Sequence, residues 1–476
     1  EYYAKKYLGV LMHNTSILSD FQGYADSLVS THKIPAISLA VWHKGKLYQA
    51  AAGILNLDTG VEATTASIFQ IGSISKVMTA SVVMQLVDEG KVELDKPVKH
   101  YVRDFAIADK AATESITVRQ LLNHTSGMDG DFFPDDTHDT GNPIARFVDR
   151  CNLLPLVHPV GEHYSYSNSA YAIAGRLVEV VTGTTWFDAI EERLFQPLGM
   201  KHAICRPMDV LRYRTAIGHV PNPDSSDPNS PDYWQQTKQP YLSMGQAPAG
   251  SAITMSAKDL ITFARAHMDR GLTQDGERWL SESATAQMQQ PQVEIPSLSS
   301  VVSSHMGLNW GLHRLNSNSR LIFGHGGGTY GQMSMLRIVP DQDTCIAILM
   351  NCENAEVAYQ TVINTLLKEL TDFDLAEPDP SFINVPDQQL AHYLGNYQSS
   401  GEHYAITLEN GRLIALYKDL ATNAPALKLH LKAIDKVLWL GHNEEGIGVM
   451  RFRFINPDDQ GKYAYVFNTR MNQRIN

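Results

Sequence analysis

Only four cysteines occur in 476 residues, Cys151, Cys205, Cys345 and Cys352, and none forms a C-x-x-C pair. That excludes a zinc ribbon and a disulfide-rich scaffold, and it leaves the redox compartment open. Clustered positive charge is equally scarce: the formal net charge is -12 and no Lys/Arg cluster stands out, so neither nucleic acid nor an anionic membrane is indicated as a partner. No apolar run is long enough for a membrane-spanning segment. The 18 histidines include no H-E-x-x-H and no tight His/Asp cluster, so no metal is expected. G-x-S-x-G is also absent, which removes the α/β-hydrolase reading. The chain starts at Glu1 rather than at a methionine, pointing to a removed signal segment or a trimmed start.

What remains is a globular composition of 43% hydrophobic and 19% charged residues, with 33 Gly and 22 Pro spread along the chain. The length suits two domains, or one large domain with an appendage. Apolar spacing predicts a helix over Phe21–Thr31, then a hairpin of Ala36–Trp42 and Leu47–Ala52 turned at Lys44-Gly45-Lys46. A buried helix runs from Ser73 to Glu89 and stops at Gly90. Between Leu94 and Trp186 the signals are mostly helical, including Thr117–Asn123 and Ser169–Thr182. Five prolines between 221 and 240 read as a long loop. A helix at Ser256–Met268, strands at Leu308–Leu315, Gln332–Val339 and Cys345–Asn351, and a helix at Ala355–Leu370 follow.

Strands thus flank a helical middle, which implies an α+β fold: one antiparallel sheet flanked by helices, joined to an all-helical subdomain. Residues 1–372 form this domain, 373–387 a Pro-rich linker and 388–476 a small antiparallel β-barrel. Asn410-Gly411 between Tyr404–Leu408 and Arg412–Tyr417 is the clearest hairpin signal there.

Three short stretches carry candidate chemistry. Ser73-Ile74-Ser75-Lys76 fits S-x-x-K at a helix start, placing serine and lysine on one helical face. A lysine with a depressed pKa can take the serine proton, and the Ser73 N–H can help bind an oxyanion. Tyr166-Ser167-Asn168 opens a helix, where Tyr166 can relay a proton and Asn168 can hold Lys76 or a substrate carbonyl. Plain helix capping is the alternative there. Finally, His325-Gly326-Gly327-Gly328 precedes a strand, and its glycines let an extended substrate lie close to the backbone. Gly326 to Gly331 also satisfies G-x-G-x-x-G, but no helix follows and a dinucleotide site is rejected.

The order of these stretches resembles the serine β-lactamase and penicillin-binding protein superfamily, especially its class C β-lactamase, D-aminopeptidase and esterase branch. Leu121-Leu122-Asn123-His124-Thr125-Ser126-Gly127-Met128, Pro197-Leu198-Gly199-Met200 and Ala249-Gly250-Ser251 support the likeness, which covers roughly residues 20 to 370. The resemblance implies Ser73 as the acylated nucleophile, Lys76 as its partner in proton transfer and Tyr166 as relay or general base. Asn168 orients lysine or substrate, and His325, Gly326 and Gly327 occupy the third motif. Where the family usually has Lys-Thr-Gly, this chain has His325-Gly326-Gly327, which takes away the fixed cation for a penicillin or peptide carboxylate.

The segment Leu390 to Tyr397 resembles the start of a lipocalin-like barrel appended to some of these peptidases. The expectation is therefore a serine hydrolase without cofactor or metal, acting on peptide, D-amino-acid amide or ester substrates. The alternatives are a true β-lactamase and a non-turnover penicillin-binding or sensor protein. Its partners are a small molecule or short peptide, with a homo-oligomer possible, and its location periplasmic or secreted.

Overall fold

The computed structural model describes residues 16–134, 141–225, 227–299, 303–315, 320–354, 356–371, 373–375, 379–420 and 424–475. Glu1, Ala355 at the expected start of the last helix, Ser226 in the expected loop, residue 372 at the expected end of the larger domain and residues 376–378 of the expected linker lie outside them.

A nine-stranded antiparallel sheet organises the larger part. Its order is Val61–Glu62, Lys46–Asn56, Ala36–His43, Thr344–Met350, Gln332–Val339, Arg320–Thr329, Gly311–Leu315, His305–Met306 and Val293–Glu294. N- and C-terminal strands meet at its centre, where Leu39 pairs with Ile348 and Met335 with Ile348 from the other side. Both faces of the sheet are covered, so the central strands read as unbroken apolar runs. Along Ala36–His43 the side chains alternate: Ala36 and Ala40 pack toward the helical layer, and Ile37, Leu39 and Val41 toward the terminal helices.

The terminal helices are Phe21–His32 and the stretch Glu356–Leu370, which opens as a π-helix and continues as an α-helix from Asn364. On the opposite face, the helix Ile74–Asp88 is buried on nearly every side, since Val77, Met78, Ala80, Val82, Val83 and Met84 are all fully covered. It packs against Asn168–Thr182, whose end at Gly183 takes the expected left-handed conformation.

Two local readings differ from the sequence expectation. Within 221–240, His219–Pro221 and Trp234–Gln236 pair as a short hairpin, and the Trp234 indole N–H donates to the Lys33 carbonyl at 2.8 Å. Three-residue strands among prolines leave too short a pattern to see. The glycine run is itself strand, because Arg320–Thr329 extends through it and pairs Gly327 with Ser334. Glycines hide strand alternation, and the register of the neighbour supplies it.

The tail is a closed barrel of eight antiparallel strands, from Gly395–Gln398 to Arg470–Arg474. Asn410 and Gly411 both have positive φ, 52° and 75°, in the expected two-residue hairpin turn. Tyr397, Tyr404, Trp439, Phe452 and Phe454 fill the interior, with Leu390 and Tyr393 of the entering segment packed among them. A separate apolar cluster joins Val157, Tyr164, Ile295, Leu298 and Met306 to Leu438, Tyr465, Phe467 and Met471, seating the barrel on the larger part. Among the described residues no helix is long and apolar enough to cross a membrane.

Candidate active site

The nucleophile candidate sits where a strand turns into a helix. Gly72 has φ +52°, and a Cβ there would lie 2.5 Å from the Gly328 nitrogen. Gly250 closes the other side, since a Cβ on it would be 2.9 Å from the Ser73 nitrogen. These close approaches bring three backbones together around Ser73, which is half-buried and reachable. The Ser73 and Gly328 N–H groups are the candidate oxyanion donors. Below, the Ser334 hydroxyl donates to the Ile71 carbonyl at 2.7 Å and ties the turn to the sheet.

Lys76 is fully buried one turn along the helix. Its Nζ lies 2.9 Å from Ser73 Oγ and donates to the Ala249 carbonyl at 2.6 Å. Burial, and then the Arg470 cation, depress its pKa well below the ordinary lysine value, while Asp131 opposes them. A neutral Nζ offers a lone pair, so the 2.9 Å contact can then run with the Ser73 hydroxyl donating.

Tyr166 caps this pair. Lys76 Nζ is 4.8 Å from its ring centroid, and the guanidinium carbon of Arg470 is 4.9 Å from the same centroid. The His124 ring lies against it at 4.5 Å and the His325 ring at 6.1 Å. Asn168 is the first residue of its helix, and Ser167 performs the capping by accepting from Ala170 N–H at 3.0 Å. The Asn168 amide donates to Asp131 Oδ1 at 2.8 Å. Asp131 in turn receives Arg470 Nε at 2.6 Å and a second guanidinium nitrogen at 3.1 Å. Burial alone would push the Asp131 carboxyl up, but Arg470 and the Asn168 bond outweigh it and hold the group below its ordinary value.

His325 lies in the strand facing Tyr166, and its Nδ1–H donates to the Gly326 carbonyl at 2.5 Å. Burial, with Lys76 adding to it, lowers its pKa to about 3. It is therefore neutral at working pH and presents Nε2 as an acceptor. Gly327 is forced to be glycine, because a Cβ would be 2.0 Å from the Ile71 carbonyl.

The seven residues singled out in the sequence lie around one site, but the Asn168 amide is bonded to Asp131 rather than to Lys76, whose partners are Ser73 and the Ala249 carbonyl. Three contributors were not singled out there. Asp131 and Arg470 carry no motif, and Arg470 sits in a barrel strand whose short polar sequence gives no strand signal. His124 lies within a stretch that marked the resemblance, and its φ of 61° is the kind of outlier that invites a role. Among the described residues no group of three or more His, Cys, Asp or Glu side chains gathers as a metal site.

Comparison with known proteins gives a consistent family. The family model described as Beta-lactamase matches residues 21–366. Penicillin-binding protein 4 of Amycolatopsis lactamdurans is 36% identical over 379 residues, covering 79% of this chain and 96% of that protein. The crystal structure of SurE, also solved with D-Leu, is 25% identical with a TM-score of 0.75 and covers 96% of this chain and 99% of its own. The D-amino acid amidase from Ochrobactrum anthropi SV3, complexed with L-phenylalanine amide, has a TM-score of 0.59 at 23% identity. That match covers 75% of this chain and 97% of the amidase.

Proposed function

The chain belongs to the beta-lactamase family, and from that premise we propose that it is a serine hydrolase that forms an acyl-enzyme on Ser73, with peptide, D-amino-acid amide or ester substrates. The observation that carries this reading is the buried Lys76 Nζ 2.9 Å from Ser73 Oγ, held in surroundings that favour its neutral form. Ser73 Oγ attacks the substrate carbonyl while its proton passes to Lys76. The Ser73 and Gly328 N–H groups receive the developing oxyanion. Tyr166 hands a proton to the departing amine or alkoxide and regains one from Lys76, so that the Ser73 proton leaves with the product, and water then releases the acyl group by the reverse path.

Two observations favour D-configured amides and esters over β-lactams. SurE has been solved with D-Leu, and the neutral His325 leaves the third motif without the cation that a penicillin carboxylate would meet. The reading carries the expectation of a periplasmic or secreted location and a small-molecule or short-peptide substrate.

The test is turnover of D- and L-aminoacyl amides, D-aminoacyl esters and a penicillin by the wild type and Ser73→Ala. D-aminoacyl substrates are expected to lead, with a loss of at least about a thousandfold in the variant. Faster consumption of the penicillin would make the protein a β-lactamase, and undiminished turnover by Ser73→Ala would end the proposal.

A further inference from the structure

We infer that the turn between the last two barrel strands belongs to the catalytic apparatus: Arg470, clamped on Asp131 and set against the ring of Tyr166, is a positioning residue for proton transfer at Ser73. The inference rests on the acyl-enzyme reading above and adds to it a role for the second domain.

The barrel reaches the site through main chain and side chain together. Tyr166 N–H donates to the Thr469 carbonyl at 3.0 Å, and Met471 N–H donates to Ser165 Oγ at 3.0 Å. The tyrosine segment is thereby stitched to the turn at two points. Thr469 itself has φ 63°, an unfavourable conformation for a β-branched residue, between strands in which Asn468 pairs with Arg470. Strain of this kind persists where the surroundings over-determine it, and here it aims the next residue, Arg470, into the site.

Arg470 has little freedom once there. Its two bonds to Asp131 use the planar fork of the guanidinium, and a third nitrogen contact reaches Thr469 Oγ1 at 3.0 Å. The side chains of Arg470 and Asp131 are only 24% and 17% exposed. A second barrel loop holds the same segment through Asp129, whose Oδ1 accepts from the Asp131 N–H at 3.2 Å. Ser400 N–H donates to Asp129 Oδ2 at 2.6 Å, and Gly401 lies so close that a Cβ would be 3.2 Å from that of Asp131. Through Asp131 the barrel therefore also fixes Asn168, while the apolar seam of Tyr164, Phe467 and Met471 keeps the two parts from sliding.

The charges agree with the geometry. The groups facing Lys76 and Tyr166 are His124 and His325, both held neutral by burial, Asp131, and Arg470, with Glu402 behind it. Arg470 is thus the cation that helps Lys76 shed its proton, and Asp131 is the anion that limits the effect.

The experiment follows Ser73 acylation against pH in the full-length wild type, Arg470→Met, Asp131→Asn and Arg470→Lys, with thermal midpoints measured alongside. Removing the Arg470 cation leaves Asp131 alone before Lys76, so lysine keeps its proton longer and the acid limb of kcat/KM moves up by about one pH unit. Asp131→Asn removes the anion, so the limb moves down. Loss of position lowers the plateau by about a hundredfold in both. Arg470→Lys restores the limb but not the plateau, since an ammonium lacks the fork.

Opposite limb shifts are the expected result. Limbs that stay put, with rates tracking the thermal midpoints, would overturn the inference and leave the barrel a structural appendage. Should Arg470→Met fail to fold, Asp131→Asn and Arg470→Lys still give limb and plateau. Absence of wild-type acylation at Ser73 would defeat the underlying reading instead, so the two failures are distinct.

Discussion

The imidazole of His124 lies against the ring of Tyr166, with centroids 4.5 Å apart and planes inclined by 31°. Its tautomer follows from its neighbours: Ser167 N–H donates to Nδ1 at 3.0 Å, so the proton sits on Nε2, which donates to Asn309 Oδ1 at 2.9 Å. Burial, and then Lys76, keep the ring neutral. His124→Ala removes the stacking partner and leaves a buried N–H and a buried carbonyl unpaired, at a cost of about 2–4 kcal/mol. Urea unfolding and kcat/KM are expected to fall together, and an unaltered kcat/KM would show that the stack does not position Tyr166.

Tyr166→Phe keeps the ring and its contacts but removes the phenol. Stability should hold within about 0.5 kcal/mol, as for a change that opens no cavity. Acylation should slow by about 10²- to 10⁴-fold, the range of a lost general acid or base. Stopped-flow acylation at saturating substrate checks this, and an unchanged rate takes Tyr166 out of the proton path.

Neighbouring glycines in the third motif separate packing from chemistry. Gly327→Ala drives a Cβ into the Ile71 carbonyl and to 2.6 Å from Ser334 Oγ, so the turn bearing Ser73 must shift, costing about 1–3 kcal/mol and most of the activity. At Gly328 the nearest atom to a new Cβ is 3.9 Å away. Thermal melts should show Gly327→Ala clearly destabilised and Gly328→Ala close to wild type; equal melts would contradict the close approach.

Buried histidines set an acid sensitivity. Burial lowers the pKa of His267 and His313 to about 3 and that of His158 to about 4, against 6.5 when unfolded. Between those values the unfolded chain binds protons that the fold refuses. Their contribution is complete above pH 6.5 and is lost as pH falls toward about 4 for His158 and about 3 for His267 and His313, by up to about 1.4 kcal/mol per unit for each ring. Urea unfolding at pH 7.5, 6 and 5 should show this slope, and His267→Asn should flatten it. A slope identical in the variant would assign the sensitivity elsewhere.

Much of this was legible because the catalytic stretches are local. S-x-x-K needs one helical turn and Tyr166-Ser167-Asn168 one helix start, so each stretch could be placed on its element from the sequence alone, whereas the Asn168 partner, Asp131, could not. Central strands such as Ala36–His43 announced themselves by apolar runs that a doubly covered sheet requires. Long-range partnership was not legible. Asp131 and Arg470 are 339 residues apart, and nothing near either one signals the other. Arg470–Arg474 reads Arg-Met-Asn-Gln-Arg, a strand made by barrel closure rather than by propensity. The strand through Gly324 to Thr329 was hidden for the same reason, since its register comes from Gln332–Val339.

Acylation of Ser73 is read from intact-protein mass after acid-quenched reaction with a D-aminoacyl ester, followed by peptide mapping. A single adduct is expected on the wild type, mapped to the peptide containing Ser73 and absent from Ser73→Ala. An adduct of equal yield on the Ser73→Ala protein, or one mapped to another residue, would contradict it.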